Sequence, residues 1–227
     1  ILSHDLRSPL GAITVNAALL ARAAEGDQRQ ARIAARILNS AQRMERMIAD
    51  LLDLTRTRLG GVIPLKAVPI DLRRVCEEVV LEVKASYPDA LVHVESHGDV
   101  TGKWDGDRLA QVVSNLTINA IQHGANTPVT VLAVDADEQV RLSVHNHGDP
   151  IPLHAQATIF EPLTRGRSDG AHNIGLGLFI ARAVVVAHGG DIHLRSTAES
   201  GTTFEITLPR EPTMPAELTR AELSMAE

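Results

Sequence analysis

The chain has 227 residues, of which 44% are hydrophobic, 22% are charged and only 2% are aromatic. This composition is typical of a folded protein and excludes a disordered one, and the length allows one large domain or two modest domains. The formal net charge of −6 gives no general surface for nucleic acid, and the single cysteine, Cys76, excludes an internal disulfide and fits a reducing compartment.

The sequence carries no membrane or targeting signal. No apolar run approaches the roughly 18 residues that a membrane span needs, and no signal-peptide pattern is present. We therefore expect no membrane contact by these residues. Because the first residue is Ile1 rather than methionine, we expect the chain to be a fragment of a longer protein.

The first predicted helix places a histidine away from its apolar stripe. His4 lies two residues from both Leu2 and Leu6, which is about 200° around a helix from each, so we expect it to face solvent. Asp5 follows it directly, and Pro9 stands five residues after it. Taken alone, this is a solvated His–Asp pair near a helix end. The apolar stripe itself consists of Leu2, Leu6, Leu10, Ile13, Ala17 and Leu20.

A second predicted helix follows the polar turn "AEGDQ". Its apolar positions alternate spacings of four and three residues, a period of 3.5 that is typical of helix bundles. Two helices alone make a poor core, so the pattern predicts a symmetric dimer that forms a four-helix bundle. The positions, with one serine in the series, are Ile33, Ile37, Ser40, Met44, Met47, Leu51 and Leu54.

The pattern changes after "LGGVIP", where two glycines and a proline end the second helix. Three further helices are predicted at "DLRRVCEEVVLEVKASYP", "DGDRLAQVVSNLTINAIQHG" and "GLGLFIARAVVVAHGG". Strands are predicted at "LVHVE", "VTVLAV", "VRLSVHN", "DIHLRS" and "TTFEITLP". The order predicts an α/β sandwich with helices on one face of a mixed sheet. The fold class is therefore α+β, with a helical hairpin before the sandwich.

Three short motifs suit a nucleotide: "NLTIN", the strand end "HNHGDPIP", whose Asn146 can hydrogen-bond a planar base, and the glycines of "NIGLGL". Asn115 and Asn119 share one helix face and can hold a hydrated divalent cation or phosphate oxygens, although a polar outer face is the commoner reason for such a pair. His123 lies four residues further along that face. Gly175 and Gly177 stand at the start of an apolar helix, where backbone amides bind anions. Each motif is weak alone.

In chain order, these motifs resemble the catalytic core of bacterial sensor histidine kinases, from Ile1 to about Arg210. "SHDLRSPL" resembles the H box of that family, "QVVSNLTINAIQHG" the N box and "IFEPLTRG" the F box. "VHNHGDPIP", "IGLGLFIARAVVVAHGG" and "SGTTFEITLP" resemble its three glycine boxes. Six motifs in the right order and spacing form a specific signal.

The resemblance implies a dimerisation and histidine-phosphotransfer hairpin over residues 1–60 and an ATP-binding domain of the Bergerat type over 61–210. Residues 211–227 are expected to form a poorly ordered tail. The implied activity is autophosphorylation from Mg-ATP, followed by transfer to an aspartate in the receiver domain of a response regulator. A cytoplasmic location in bacteria is implied, whether the full protein is soluble or membrane-anchored, with the sensor region before Ile1.

The resemblance also assigns roles to residues at matching positions. It implies that His4 accepts the phosphoryl group and that Asp5 orients the imidazole ring and takes its spare proton. It implies that Asn119 ligates Mg²⁺, with Asn115 beside it on the triphosphate side. His123 is then a phosphate contact.

The remaining implied roles concern the lid and the nucleotide. Residues 161–174 correspond to a mobile lid, which Phe160 anchors. Arg165 and Arg167 lie in it and either reach phosphates or are solvated loop charges. The other implied nucleotide contacts are Gly175 and Gly177 at the phosphates and Asn146, Gly148 and Thr202 around the adenine.

The chain departs from the family pattern at three positions. Asn146 stands where the family usually has Asp. The asparagine makes a neutral hydrogen bond to adenine where the aspartate would make a charged one. The expected loss is about 1 kcal/mol, or roughly fivefold in ATP affinity. Pro150 replaces a glycine and stiffens the same turn. Ser8 stands where phosphatase-active members tend to have Thr or Asn, which leaves phosphatase activity open.

The second helix also carries a charge excess. Residues 28–58 contain seven arginines against three acids, a net of +4, so that the rest of the chain carries −10. The excess is either a solvated helix face or a docking surface for an acidic receiver domain. Unchanged phosphotransfer after charge reversal at Arg32 or Arg36 would count against docking.

Two other functions compete with a kinase. The chain could be a dimeric scaffold that binds nucleotide weakly and signals only through partner contacts, a hypothesis that Asn146 supports. It could also be an ATPase of the gyrase type, but nothing in such an enzyme needs the H box. The intact His4–Asp5 and Asn115–Asn119 pairs favour the kinase.

Overall fold

The computed structural model describes residues 2–23, 27–163 and 175–211, with the side chains of residues 2–8, 21–23, 28, 39, 42 and 43 left out. The chain divides into two compact units, residues 1–61 and 62–227. The described elements are α+β, as the sequence predicts: a helical unit precedes a unit of mixed sheet and helices.

The first unit is a hairpin of α1 (Leu2–Ala23) and α2 (Gln28–Arg58). The Asp27 carboxylate begins α2 because it accepts hydrogen bonds from the backbone N–H groups of Arg29 and Gln30, at 2.9 and 3.1 Å. The helix ends at "LGG", where Gly60 takes a φ of 79° that favours glycine. Both helices lie where the sequence predicts them.

The hairpin buries Leu10 and Ala17 of the stripe predicted on α1, but on α2 it buries alanines that lie outside the predicted series. The buried hydrophobic residues of the two helices are Leu10, Ala17, Ala34 and Ala41. The larger residues of the series on α2 remain exposed in the single chain, at 49% for Ile33, 44% for Met44 and 53% for Leu51. Alanines allow the helices of one chain to approach closely, and the bulky series is left without cover within that chain.

The second unit contains a five-stranded mixed sheet in the order β2-β4-β5-β7-β6, in which β2 and β4 are parallel and the other neighbours antiparallel. Its strands are β2 (Val92–His97), β4 (Val129–Ala136), β5 (Gln139–Asn146), β6 (Asp191–Thr197) and β7 (Gly201–Pro209). The helices are α3 (Leu72–Ser86), α4 (Gly106–His123), the short α5 (Leu153–Gln156) and α6 (Gly177–Ala187). Alternate residues of β4, β5 and β7 are buried, and α3, α4 and α6 pack on the sheet.

A small second sheet was not predicted. Strand β1 (Val68–Asp71) pairs antiparallel with β3 (Thr101–Trp104). Both strands have four residues, and one contains a proline and the other a glycine, so neither has the alternating pattern of a strand. Gly102 leaves room for the indole of Trp104, since a Cβ there would lie 2.4 Å from the ring. The buried indole donates a 2.7 Å hydrogen bond to the Pro209 carbonyl oxygen.

The single cysteine is inert in this fold. Cys76 lies in the core on α3, and burial raises the pKa of its thiol to about 12. A thiol with so high a pKa does not form a reactive thiolate near neutral pH.

His188 joins the end of α6 to the start of α4. It is fully buried; its Nε2 accepts a 3.0 Å hydrogen bond from the Asp105 N–H, and its Nδ1 lies 2.8 Å from the Val184 carbonyl oxygen. Asp105 in turn caps α4, because its carboxylate accepts from the Arg108 N–H at 3.1 Å. The neutral imidazole satisfies both of its nitrogens, and it holds the N-terminal end of α4 in place.

We expect His188→Ala to destabilise the protein by about 2 kcal/mol, because it leaves the Asp105 N–H unpaired and opens a cavity. Burial lowers the pKa of His188 below its ordinary value, so the unfolded state binds more protons at mildly acidic pH. The contribution of His188 is therefore complete above the unfolded pKa of about 6.5 and is lost as pH falls below it. Denaturant unfolding at pH 7.5 and pH 5.5 tests this: the difference between native chain and variant should shrink at the lower pH.

Candidate functional site

Two asparagines face outward from the middle of α4, one turn apart. The side-chain Nδ2 of Asn115 donates a 3.1 Å hydrogen bond to the carbonyl oxygen of Gly177, so α4 is tied to the first residue of α6. Asn119 is half-buried, and no hydrogen bond to its side chain exists within the described part of the chain. One amide is thus partly used by the fold, and the other is available to a ligand.

The start of α6 is open to an anion. The helix begins at Gly177, and no side chain in the described part of the chain caps its N-terminus. A Cβ at Gly177 would lie 3.4 Å from Cγ of Asn115, so the start of α6 lies within van der Waals contact of that amide. Gly175 precedes the helix, with a φ of 75° that favours glycine. It therefore lies just outside the helix, whereas the sequence suggested that both glycines begin it.

The ends of β5 and β7 provide a second group of polar residues. Asn146 and Thr202 are direct cross-strand partners, and both are buried. The hydroxyl groups of Thr202 and Ser196 are 2.7 Å apart, and the Ser196 hydroxyl accepts a 2.9 Å hydrogen bond from the Ile151 N–H. The Asn146 amide donates only one long bond, 3.3 Å, to the carbonyl oxygen of His147.

Two glycine contacts bring the end of α4 to the end of β5. A Cβ at Gly124 would lie 3.3 Å from Nδ2 of Asn146, and a Cβ at Gly148 would lie 2.4 Å from the carbonyl oxygen of His123. Larger residues at these two positions would separate the helix end from the strand end. The structure therefore brings together six of the residues singled out from the sequence: Asn115, Asn119, His123, Asn146, Gly148 and Thr202, with Gly177 beside Asn115.

Phe160 is half-buried and contacts the sandwich. Its ring meets that of Phe204 edge to face, with centroids 6.1 Å apart, and the Arg182 guanidinium carbon lies 5.8 Å from the Phe160 centroid. The segment that follows, including Arg165 and Arg167, lies outside the described residues from position 164 to position 174. A 2.9 Å hydrogen bond from the Leu163 N–H to the Gly175 carbonyl oxygen joins the two residues that flank that segment.

The two residues of the proposed phosphotransfer step lie on α1. The backbone of His4 and Asp5 is helical, as predicted. Their side chains lie outside the described residues, so the expected solvent-facing direction of His4 stays a prediction.

Two residues of this region were missed from the sequence. Ser196 supports the Thr202 hydroxyl from the neighbouring strand, and Gly124 allows the close approach of Asn146. Gly124 was recognised only as a helix stop. No local pattern marks Ser196, because its role depends on the pairing of β6 with β7.

Two family profiles match the chain. The profile described as "His Kinase A (phospho-acceptor) domain" matches residues 1–60, and "Histidine kinase-, DNA gyrase B-, and HSP90-like ATPase" matches residues 104–212. A solved catalytic domain of the histidine kinase ThkA is 30% identical, with a TM-score of 0.57 over 65% of this chain and 97% of that one. The chain belongs to the sensor histidine kinases.

Other relatives agree with this assignment. The probable sensor histidine kinase TcrY of Mycobacterium tuberculosis is 35% identical over 95% of the chain and 46% of its own length. Full-length ShkA, solved in complex with AMPPNP, is 26% identical, with a TM-score of 0.69. The match covers 94% of this chain and 46% of the ShkA chain. The chain thus spans less than half of the length of the first curated relatives. It corresponds to the catalytic core of such kinases.

The kinase core therefore contains an ATP-binding domain, and its residues fit the nucleotide. The half-buried Asn119 amide has no protein hydrogen bond in the described part of the chain, and α6 presents uncapped N–H groups beside Asn115. No three His, Cys, Asp or Glu side chains among the described residues lie together as a metal site. The side-chain oxygen of Asn119 is of the kind that Mg²⁺ prefers, together with the oxygens of substrate phosphates.

Among the described helices, none is both long and apolar enough to cross a membrane.

We expect Asn146→Asp to tighten ATP binding about fivefold, because a carboxylate accepts a stronger hydrogen bond than an amide oxygen. The same substitution removes the bond that Asn146 donates to the His147 carbonyl oxygen, so the ATP-free variant should melt at a lower temperature. Calorimetric titration with ATP and thermal melting measure the two effects. The exposed Asn16→Asp serves as the matched control, and equal affinities for all three proteins would contradict the prediction.

Proposed function

We propose that this kinase core phosphorylates its own His4 from Mg-ATP and then passes the phosphoryl group to an aspartate of a response-regulator receiver domain. One observation supports this most: the asparagine pair of α4, the open start of α6 and the Asn146–Thr202 pair meet at one end of the sandwich. The binding of AMPPNP by the related ShkA supports ATP as the nucleotide.

In the proposed reaction a neutral imidazole nitrogen of His4 attacks the γ-phosphorus of ATP. A nitrogen–phosphorus bond forms, the bond from phosphorus to the β,γ-bridging oxygen breaks, and ADP leaves with that electron pair. Asp5 orients the ring and takes the proton that the imidazole gives up. Because the transition state is loose, the protein acts mainly by positioning the reactants and by offsetting charge.

The residues of the sandwich then have separate tasks. Asn119 holds Mg²⁺, which neutralises charge on the phosphates, and Asn115 supports it from the triphosphate side. Gly175 and Gly177 allow backbone N–H groups to approach the phosphates, and His123 adds a further contact. Asn146, Gly148 and Thr202 hold the adenine. Phe160 anchors one end of the segment that includes Arg165.

We further propose a homodimer through residues 1–60, with residues 61–210 as the catalytic domain. The exposed series that includes Ile33, Ile37, Met44 and Leu51 repeats every 3.5 residues, and these four side chains are 40–53% exposed in a single chain. A second hairpin would bury it as a four-helix bundle. The arginines of α2, such as Arg36, then remain on the outside for an acidic receiver domain.

The proposed activity is tested by incubating the full chain with Mg²⁺ and γ-labelled ATP. A phosphohistidine is stable in base and labile in acid, and its label should move to a receiver domain only when that domain retains its aspartate. Label with this chemistry supports the kinase. Absence of label, in protein that still binds ATP and dimerises, would favour the scaffold that Asn146 suggests.

A further inference from the structure

Two histidines meet at the end of β5, on the side of the strand opposite Asn146. His145 and His147 are two residues apart, so both project to the same side of an extended chain. Their Nε2 atoms are 3.4 Å apart, and the rings are nearly perpendicular, with centroids separated by 4.8 Å. His145 is half-buried and His147 is exposed, so solvent can reach the point between them.

The distance between the two nitrogens suits a tetrahedral metal ion. Two zinc–nitrogen bonds of about 2.05 Å at a tetrahedral angle place the nitrogens about 3.3 Å apart. A right angle, as in square-planar copper, would bring them to about 2.9 Å. The observed 3.4 Å is also long for a hydrogen bond between two imidazoles.

The surroundings of His145 prepare its Nε2 atom for a metal. Its other nitrogen, Nδ1, lies 2.9 Å from the Thr203 hydroxyl, the kind of outer hydrogen bond that metal-binding histidines usually make. The Thr203 hydroxyl can accept a hydrogen bond from Nδ1–H, which leaves the lone pair of the ring on Nε2.

The ring of His147 has room on the side that faces Gly201. A Cβ at Gly201 would lie 3.1 Å from Nδ1 of His147, so this glycine leaves space for the ring beside β7. Gly201 also takes a φ of 71°, which favours glycine at this position. The two rings are thus placed by residues of the strand next to β5.

We propose that His145 and His147 together bind one Zn²⁺ ion through their Nε2 atoms, with water completing a tetrahedral shell. The site has two protein ligands, which agrees with the absence of any three-residue metal cluster among the described residues. It does not depend on the kinase activity, since neither histidine has a part in the proposed phosphoryl transfer.

The test is a zinc titration of the full chain, purified without a histidine tag, in competition with a chromogenic chelator. His145→Ala and His147→Ala should each weaken the tightest zinc binding at least tenfold. The double variant should bind zinc no more weakly than either single variant, because both substitutions remove the same site. Thr203→Val should weaken it about tenfold through loss of the outer hydrogen bond. His193→Ala is the matched control, because it removes an exposed histidine from β6 that pairs with Asp191.

Several results would overturn the site. Zinc affinity unchanged in His147→Ala, whose side chain is exposed and whose loss should not unfold the protein, would show that zinc binds elsewhere. Equal losses of zinc affinity in His193→Ala and His147→Ala would also show that zinc does not bind specifically at the His145–His147 pair. Replacement of zinc by Co²⁺ reports the geometry: strong visible absorption is expected for a tetrahedral ion, and the weak absorption of an octahedral ion would contradict the proposed shell.

Discussion

Replacement of His4 by glutamine is expected to abolish the incorporation of phosphate from ATP completely. Glutamine resembles imidazole in size and polarity, but its amide nitrogen has no lone pair able to attack phosphorus. The proposed nucleotide site lies in the other compact unit, so ATP affinity should not change. The measurement is acid-labile label on native and variant chains, together with calorimetric titration of ATP.

The matched control for this variant is His154→Gln. His154 is exposed on α5 and takes no part in the proposed site. The His154→Gln variant should incorporate as much label as the native chain. Residual acid-labile label on the His4 variant would show that another of the ten histidines accepts the phosphoryl group.

The second large effect is expected at Asn119. Asn119→Ala should lower the rate of autophosphorylation about a hundredfold, the usual scale for removal of one group that stabilises transition-state charge. The loss should come through the metal: magnesium should tighten ATP binding to the native chain but not to the variant. Titrations of ATP with Mg²⁺ and with a chelator separate this effect from a general loss of affinity.

Ser114→Ala provides the control for Asn119. Ser114 is also half-buried on α4 but points to a different side of the helix, five residues before Asn119. Its removal should leave both rate and magnesium dependence unchanged. If Asn119→Ala keeps the native magnesium dependence, Asn119 is not the metal ligand, and Asn115 becomes the candidate. Thermal melting checks that both variants remain folded.

The helices and long strands were predictable because their signals are local. Asp71 and Asp105 cap α3 and α4, and the glycines of "LGG" end α2, as their sequence positions indicate. The small sheet of β1 and β3 was not predictable. Its four-residue strands carry no periodic pattern, and only the packing of Trp104 against Pro209 shows why they pair.

The hairpin shows how a correct period can still leave the packing undetermined. The 3.5-residue series predicts a bundle of several helices, yet the contacts within one hairpin use Ala34 and Ala41. Sequence periodicity gives the faces of a helix but not which face meets which partner. That choice depends on how closely two backbones can approach, which small residues permit.

The sequence by itself determined the family, the long helices and strands and the individual motifs, because caps, glycine stops, periodicity and ordered boxes are all local features. Only the tertiary structure decided which motif residues meet. Asn146 faces Thr202, and Asn115 holds Gly177, through strand register and helix packing across more than fifty positions. The His145–His147 pair was equally hidden, because its geometry depends on Thr203 and Gly201 of a neighbouring strand. Side-chain pairs of this kind are fixed by backbone packing, which no short stretch of sequence specifies.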